Sequence, residues 1–224
     1  MQKYQLNPMP APIDPALVSR AASVETATIG HIRQLGFADP AISPMMPATT
    51  IIGTAVTLAL PGQDSTLLHE VAGRLRPGDV LVIDRLGDHK HACLGGGVAC
   101  AIKQSGCAAV IIDGPATDRL EILQYQLPVW CRGLSPVTTR LYDIGGAFNV
   151  PVSCGGAAVL PGWVVVADDS GVLFLPPQDA DAYIDWALDK QQKEPAMHRR
   201  IIEQDARLGE MTGASAKVAA ASDD

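Results

Sequence analysis

The stretch "DVLVIDRLGDHKHACLGGGVACAIKQSGCAAVIIDGPATDRLEILQYQLPVWC", residues 79–131, decides the fold. "VLVID" and "AAVIID" are short, continuously apolar runs, the pattern of strands buried on both faces. Between them "GGGVACAIKQSG" reads as a helix opened by glycines. After them "TDRLEILQYQ" reads as a second helix and "PVWCRG" as a third strand. Strand, helix, strand, helix, strand with such short connections implies right-handed crossovers and a parallel sheet.

Working outward, "TIIGTAVTLAL" is a further strand and "DSTLLHEVAGRL" a helix capped by its Asp or Ser, leading to an "RPGD" turn. Upstream, Asp14 caps Pro15 at a first helical position. "PALVSRAASVETATIGHIRQLG" then predicts one helix ending at Gly36. After residue 145 the texture changes to short strands broken by Gly-Gly, Pro-Gly and Asp-Ser-Gly, hence hairpins and antiparallel additions. Asp168-Asp169 falls in one such turn. The expectation is a single α/β domain over 1–224, a layered sandwich with a central parallel βαβ core. Residues 1–13 form a loose or docking arm, and 178–224 a charged helix with a frayed "ASAKVAAASDD" tail.

A chain of 224 residues can bury roughly 70% of its unfolded surface, enough for one core without staples. With 47% apolar and 18% charged residues it is no disordered chain. A formal charge of −7 argues against nucleic acid or an anionic membrane as the main partner, while divalent cations are tolerated. No apolar run approaches the length of a membrane span and no export leader is apparent. Five cysteines, an odd number, suit a reducing cytosol better than a disulfide framework. Cys93, Cys100 and Cys107 lie seven apart, too far for a metal knuckle, and read as small packing residues.

In a parallel sheet, ligands bind beyond the C-terminal strand ends. Two loops there carry chemistry. In the first, Gly95, Gly96 and Gly97 open a helix, and free N–H groups with the helix dipole suit a carboxylate or phosphate. The bland alternative is a tight loop-to-helix junction. In the second, Asp118 and Glu121 are three apart on one helical face and can hold Mg²⁺ or Mn²⁺. The alternative is a helix cap at Asp118, with Arg119 and Glu121 as solvated charge. His69 reads as a surface or packing histidine and Asp88 as a possible outer neighbour of the site.

Taken together, these loops resemble the regulator-of-ribonuclease-activity-A-like proteins and the related class II 4-hydroxy-4-methyl-2-oxoglutarate aldolases. The family pattern is Asp or Gly, twenty residues, Arg-Asp, two residues, then Glu or Asp. Here Gly96 opens that frame, Thr117 and Asp118 take the Arg-Asp positions, and Glu121 closes it. "GTAVTL", "RPGDVLVID", "DGPATD", "VPVSCGG" and "LPGWVVVADDSGVLFLP" are similar to the family's core segments, over roughly residues 50–177.

The resemblance implies a divalent-metal lyase that cleaves a 2-oxo acid to pyruvate, with oxaloacetate decarboxylation as a second activity. It implies carboxylate binding by Gly95, Gly96, Gly97 and Val98, a metal at Asp118 with Glu121 orienting it or its waters, and a trimer or hexamer with sites between subunits. A neighbouring protomer's acid can contribute in the family, for which Glu194 is the candidate. The family's motif arginine contacts substrate, and here it is Thr117. His89, Lys90 and His91 are the sequence candidates to compensate. The competing expectation is a non-catalytic protein that, like one family member, binds a ribonuclease. A methyltransferase finds no support, since no Gly-rich loop follows a first strand ahead of an acidic ribose-binding position.

Overall fold

In a computed structural model describing residues 2–222, the chain forms, in order, β1 (Tyr4–Leu6), α1 (Pro15–Ala21), α2 (Thr26–Gly30), β2 (Ser43–Pro44), β3 (Ile51–Ala59), α3 (Thr66–Ala72), β4 (Asp79–Asp84), α4 (Gly96–Gln104), β5 (Ala109–Ile112), α5 (Arg119–Gln124), β6 (Val129–Cys131), β7 (Gly146–Phe148), β8 (Val152–Cys154), β9 (Ala157–Val159), β10 (Val164–Asp168), β11 (Gly171–Leu175), α6 (Pro177–Gln204), α7 (Leu208–Thr212) and α8 (Ala214–Ser222). One sheet runs β1-β7-β3-β4-β5-β6-β2, with the β10–β11 hairpin joined to β3, and β8–β9 form a separate pair. β3, β4, β5 and β6 are mutually parallel, which is the expected βαβ core. β10 joins β3 antiparallel, the expected late addition.

Side chains alternate across this core with the strand period of two. Val56, Leu58, Leu81, Ile83, Val110 and Ile112 pack on one face in one apolar cluster. Ala55, Val80, Val82, Ala109, Ile111 and Trp130 belong to the cluster on the other. All twelve are buried. At roughly 1.5–3 kcal/mol for each large side chain, this two-sided burial is why the runs read as continuously apolar. α3, α4 and α5 contribute Leu67, Leu68, Ala99, Ile102 and Ile122 to the first face, so their N-termini sit at the C-terminal strand ends.

One expectation is corrected, and one open alternative is narrowed. The helix expected over Pro15–Gly36 is two short ones, α1 and α2. The break falls where Asp168 captures the Thr26 N–H and Oγ1, each at 2.7 Å, and so starts a new helix. Gly36, taken as a helix end, has φ +93°, and an added Cβ would lie 2.5 Å from the Phe174 carbonyl oxygen. The 1–13 arm is docked rather than loose: β1 pairs with β7, and the Pro8 and Pro10 carbonyls accept from Asn149 and Arg76.

Asp168 and Asp169 do sit at the β10–β11 turn, with the buried Asp168 carboxylate accepting the Ser170 and Gly171 N–H groups. From Pro177 the chain is helical, as expected. "ASAKVAAAS" forms α8 instead of fraying, and Asp223 and Asp224 lie outside the described residues. Among the described residues no helix is long and apolar enough to cross a membrane.

Candidate functional site

The strand-end loops are stitched into a small ladder of their own. Leu94 bridges Ala116 and Ala116 bridges Leu134, all parallel, while Ala92 bridges Thr138. The Thr117 N–H donates to the Leu94 carbonyl at 2.9 Å, Ala116 to Gly133 at 3.0 Å and Ser135 back to Ala116 at 2.9 Å. The glycine loop and the "ATDRLE" loop are therefore fixed against each other by backbone, before any side chain acts.

Asp118 sits where this ladder turns into α5, in the left-handed region at φ 48°, ψ 43°. Aspartate tolerates that region better than most residues, yet at a cost on the order of 1 kcal/mol. Its side chain makes no bond to its own helix. Instead Oδ2 accepts the Gly96 N–H at 2.9 Å, at the start of α4. The simple capping alternative for Asp118 thus fails: the carboxylate is aimed at the neighbouring helix.

Glu121 lies against Gly96, and Asp118 against Gly95. A Cβ added at Gly95 would lie 2.6 Å from Asp118 Oδ2, and one added at Gly96 would collide with the Glu121 carboxylate, 2.6 Å from its Cδ. The glycines leave room for both acids.

Beside them lies a cavity of about 340 Å³ lined by His69, Ala72, Gly95, Gly96, Gly97, Val98, Ala101 and Asp118. Gly95, Gly96, Gly97, Val98 and Asp118, singled out in the sequence, are thereby brought together. One expectation changes in detail, because the Gly96 N–H is already taken by Asp118. The first-turn N–H groups of Gly97 and Val98 find no acceptor in the described chain and remain for an anion. A larger cavity, about 510 Å³, lies between residues 10–17 and Pro161–Val164, near the Arg20–Asp181 pair, and holds none of these residues.

Thr117 is half-buried, its Oγ1 3.4 Å from Asp118 Oδ1. Two of the expected compensators, His89 and His91, are engaged elsewhere. His89 faces Asp113 at 3.7 Å, and His91 Nδ1 is 2.8 Å from Asp88, which also pairs with the fully buried Arg85. Burial works against the charge of Asp88, but the Lys90 and His91 N–H groups and the His91 ring outweigh it and hold the carboxyl below its ordinary range. His89, Lys90, His91 and Asp88 line no part of the cavity that holds Asp118. The imidazole that does is His69, read from sequence as surface or packing. Its signal was the i, i+3 pair His69 and Ala72 on one stripe of α3. Glu194 sits on α6, outside this cavity. Arg119, exposed, donates to the Met45 carbonyl at 3.3 Å and so ties down the start of α5.

Asp118 and Glu121 are hard oxygen donors, a set that suits Mg²⁺ or Mn²⁺ with water and substrate in the remaining positions. No group of three or more His, Cys, Asp or Glu that could hold a metal forms among the described residues, so a metal here would draw on at most these two carboxylates of the site. The cysteines offer no alternative centre: Cys93 and Cys107 are buried, their thiols pushed up to about 11 by that burial, and Cys100 is exposed on α4.

Comparison with known proteins places the chain in a family. The family model described as "RraA-like: Aldolase/RraA" matches residues 22–174. The fold is similar to that of Streptomyces coelicolor RraAS2, described as an unusual member of the RNase ES inhibitor RraA protein family. The two are 30% identical with a TM-score of 0.74, over 84% of this chain and 99% of that one. A Halalkalibacterium halodurans protein, provisionally named a 4-hydroxy-4-methyl-2-oxoglutarate aldolase, is 31% identical over 71% of this chain and 76% of its own. The 4-hydroxy-4-methyl-2-oxoglutarate aldolase of Thermus thermophilus is 31% identical over 51% of this chain and 69% of its own.

Proposed function

The chain belongs to the RraA-like (aldolase/RraA) family, and from that premise we propose that it is a divalent-metal-dependent carbon–carbon lyase. Its substrate is a 2-oxo acid such as 4-hydroxy-4-methyl-2-oxoglutarate or oxaloacetate, and pyruvate is released. The observation that carries this reading is the crossed bond from the Gly96 N–H to Asp118, which sets an anion-binding helix start and a metal-competent carboxylate on one cavity.

In that site the Gly97 and Val98 N–H groups bind the carboxylate next to the 2-oxo group. The α4 dipole favours the same charge. Asp118 and Glu121 hold Mg²⁺ or Mn²⁺, which when bound supplies Lewis-acid polarisation of the 2-oxo group. The Asp118 bond to Gly96 keeps that carboxylate from swinging away, so its placement costs no reorganisation during turnover.

One observation favours a second reading, a non-catalytic regulator that binds a protein such as a ribonuclease: Thr117 stands where the family motif has its arginine. Either way, the apolar side chains exposed on the loop after β6 suit a homotrimer or hexamer. Leu134, Leu141, Tyr142 and Ile144 are each more than half exposed. Light scattering on the purified protein measures the assembly.

The deciding experiment is pyruvate release from both substrates with Mg²⁺ or Mn²⁺, with chelator, and with Asp118→Ala. Metal-dependent turnover above that of free metal, lost in the folded variant, is the expected result. Turnover equal to free metal alone would sink the lyase reading.

A further inference from the structure

His69 is the one side chain besides Asp118 on the candidate cavity that carries a titratable group. The other lining residues are Gly95, Gly96, Gly97, Ala72, Ala101 and Val98, which offer only backbone or methyl groups. It stands on α3, whereas the glycines open α4, so the cavity is a cleft between two helices with a polar group on each wall. Small residues on both walls keep it open: Ala72 lies one turn after His69, and Ala101 one turn after Gly97 and Val98. His69 has no hydrogen-bond or ion-pair partner within the described chain, although its backbone N–H is bound to Ser65. An exposed imidazole on a cleft whose opposite wall presents two free N–H groups has space for an acceptor between them.

We propose that His69 is a specificity-determining residue that donates a hydrogen bond to the second acidic group of a dicarboxylic 2-oxo acid, an assignment that rests on the lyase reading above. The first carboxylate takes the Gly97 and Val98 N–H groups. The chain beyond the 2-oxo carbon crosses the cleft past Ala72 and Ala101, and its far carboxylate meets the imidazole. Monocarboxylic 2-oxo acids of the same length fill the cleft but leave His69 without its acceptor. The donor on α3 thereby supplies recognition at the far end of the substrate, a different place from the one vacated by the motif arginine beside Asp118.

The test compares 4-hydroxy-4-methyl-2-oxoglutarate with the monocarboxylate 4-hydroxy-2-oxopentanoate, both cleaved between C3 and C4, in the wild type, His69→Gln and His69→Ala. A hydrogen bond to a charged group, once lost, weakens binding by roughly tenfold or more. His69→Ala is therefore expected to raise KM for 4-hydroxy-4-methyl-2-oxoglutarate, whose far carboxylate is kept through the cleavage, by about tenfold with kcat within about twofold, and to leave the monocarboxylate unchanged. His69→Gln keeps a donor and is expected to recover part of that loss. Equal effects on the two substrates, or none, overturn the assignment while leaving the lyase reading intact.

A second readout needs no turnover: malonate binding by calorimetry to the three proteins, each without metal and with Mg²⁺. If the wild type turns over nothing yet binds malonate about tenfold more tightly than His69→Ala, the lyase reading falls and the dicarboxylate site stands. If malonate binds all three alike, or none, the dicarboxylate site falls.

Discussion

The Asp118 carboxylate accepts the Gly96 N–H at 2.9 Å, joining positions 22 residues apart in the chain at the starts of two different helices. This bond consumes one of the N–H groups that open α4 and holds a carboxylate against that helix start. The same residue is strained in φ, and the backbone bonds on either side of it hold the strained conformation in place. Strain that is held by its surroundings concentrates at functional positions. Two predictions follow from the way this corner is built, and a third from the buried Asp64.

Restoring the motif arginine tests what Thr117 costs. One preorganised donor beside developing charge is worth roughly 10² to 10³ in rate. Thr117 is half-buried at the rim beside Asp118, so a longer side chain can extend outward. Thr117→Arg is expected to raise kcat/KM for pyruvate release by at least tenfold, measured with the same metal. An unchanged value would mean that this chain handles substrate differently from relatives that carry the arginine.

Gly96→Ala separates the site from the fold. Its Cβ would meet the Glu121 carboxylate, the free end of an exposed side chain that can swing aside. Gly53→Ala is the contrast, because its Cβ would lie 2.6 Å from the Gly78 carbonyl oxygen and 2.6 Å from Val80 Cγ2, inside the sheet. The Gly96 variant is expected to keep its unfolding free energy within about 1 kcal/mol and to lose tenfold or more in turnover. The Gly53 variant is expected to lose on the order of 1–3 kcal/mol, as overpacking does. Chemical denaturation and kinetics on the two proteins settle it.

Stability below neutral pH reports on Asp64. Burial opposes its charge, but the Thr66 Oγ1 and the N–H groups of Thr66, Ile144 and Tyr142 outweigh it and hold the carboxyl at about 2, against 3.8 unfolded. With the folded value below the unfolded one, the group stabilises the fold above about pH 4. That contribution, about 2 kcal/mol, is lost as pH falls from there through about 2. Asp64→Ala also leaves those donors unmatched, so a loss of about 3 kcal/mol is expected at pH 7. Denaturation curves between pH 2 and 7 should show the gap narrowing toward the acid end; a gap independent of pH contradicts the assignment.

The parallel core was legible because strands buried on both faces need unbroken apolar runs, and "VLVID" and "AAVIID" admit little else. The glycines, Asp118 and Glu121 were legible as residue types, but not the bond between Gly96 and Asp118. That bond depends on how two loops fold past their strand ends. The break between α1 and α2 was hidden for a similar reason, since the carboxylate that ends the helix pattern is 142 residues away. His69 is on the surface, as read, but an amphipathic helix shows which face is apolar, not which polar residue overlooks a neighbouring cleft. His89, Lys90 and His91 are close to the glycines in sequence but line no part of the cavity, and Asp88 and Asp113 engage the two histidines.

The short ladder through Leu94, Ala116 and Leu134 bears on how this protein can be re-engineered. The three loops exchange main-chain bonds, so none is an independent module that can be swapped for a relative's version by itself. A transplanted glycine loop of different length or path would move the position-94 carbonyl away from the Thr117 N–H, and a transplanted acidic loop would move the Ala116 N–H away from the Gly133 carbonyl. Chimeras that carry residues 85–95, 113–121 and 132–139 together as one cassette keep the register, whereas single-loop exchanges break it.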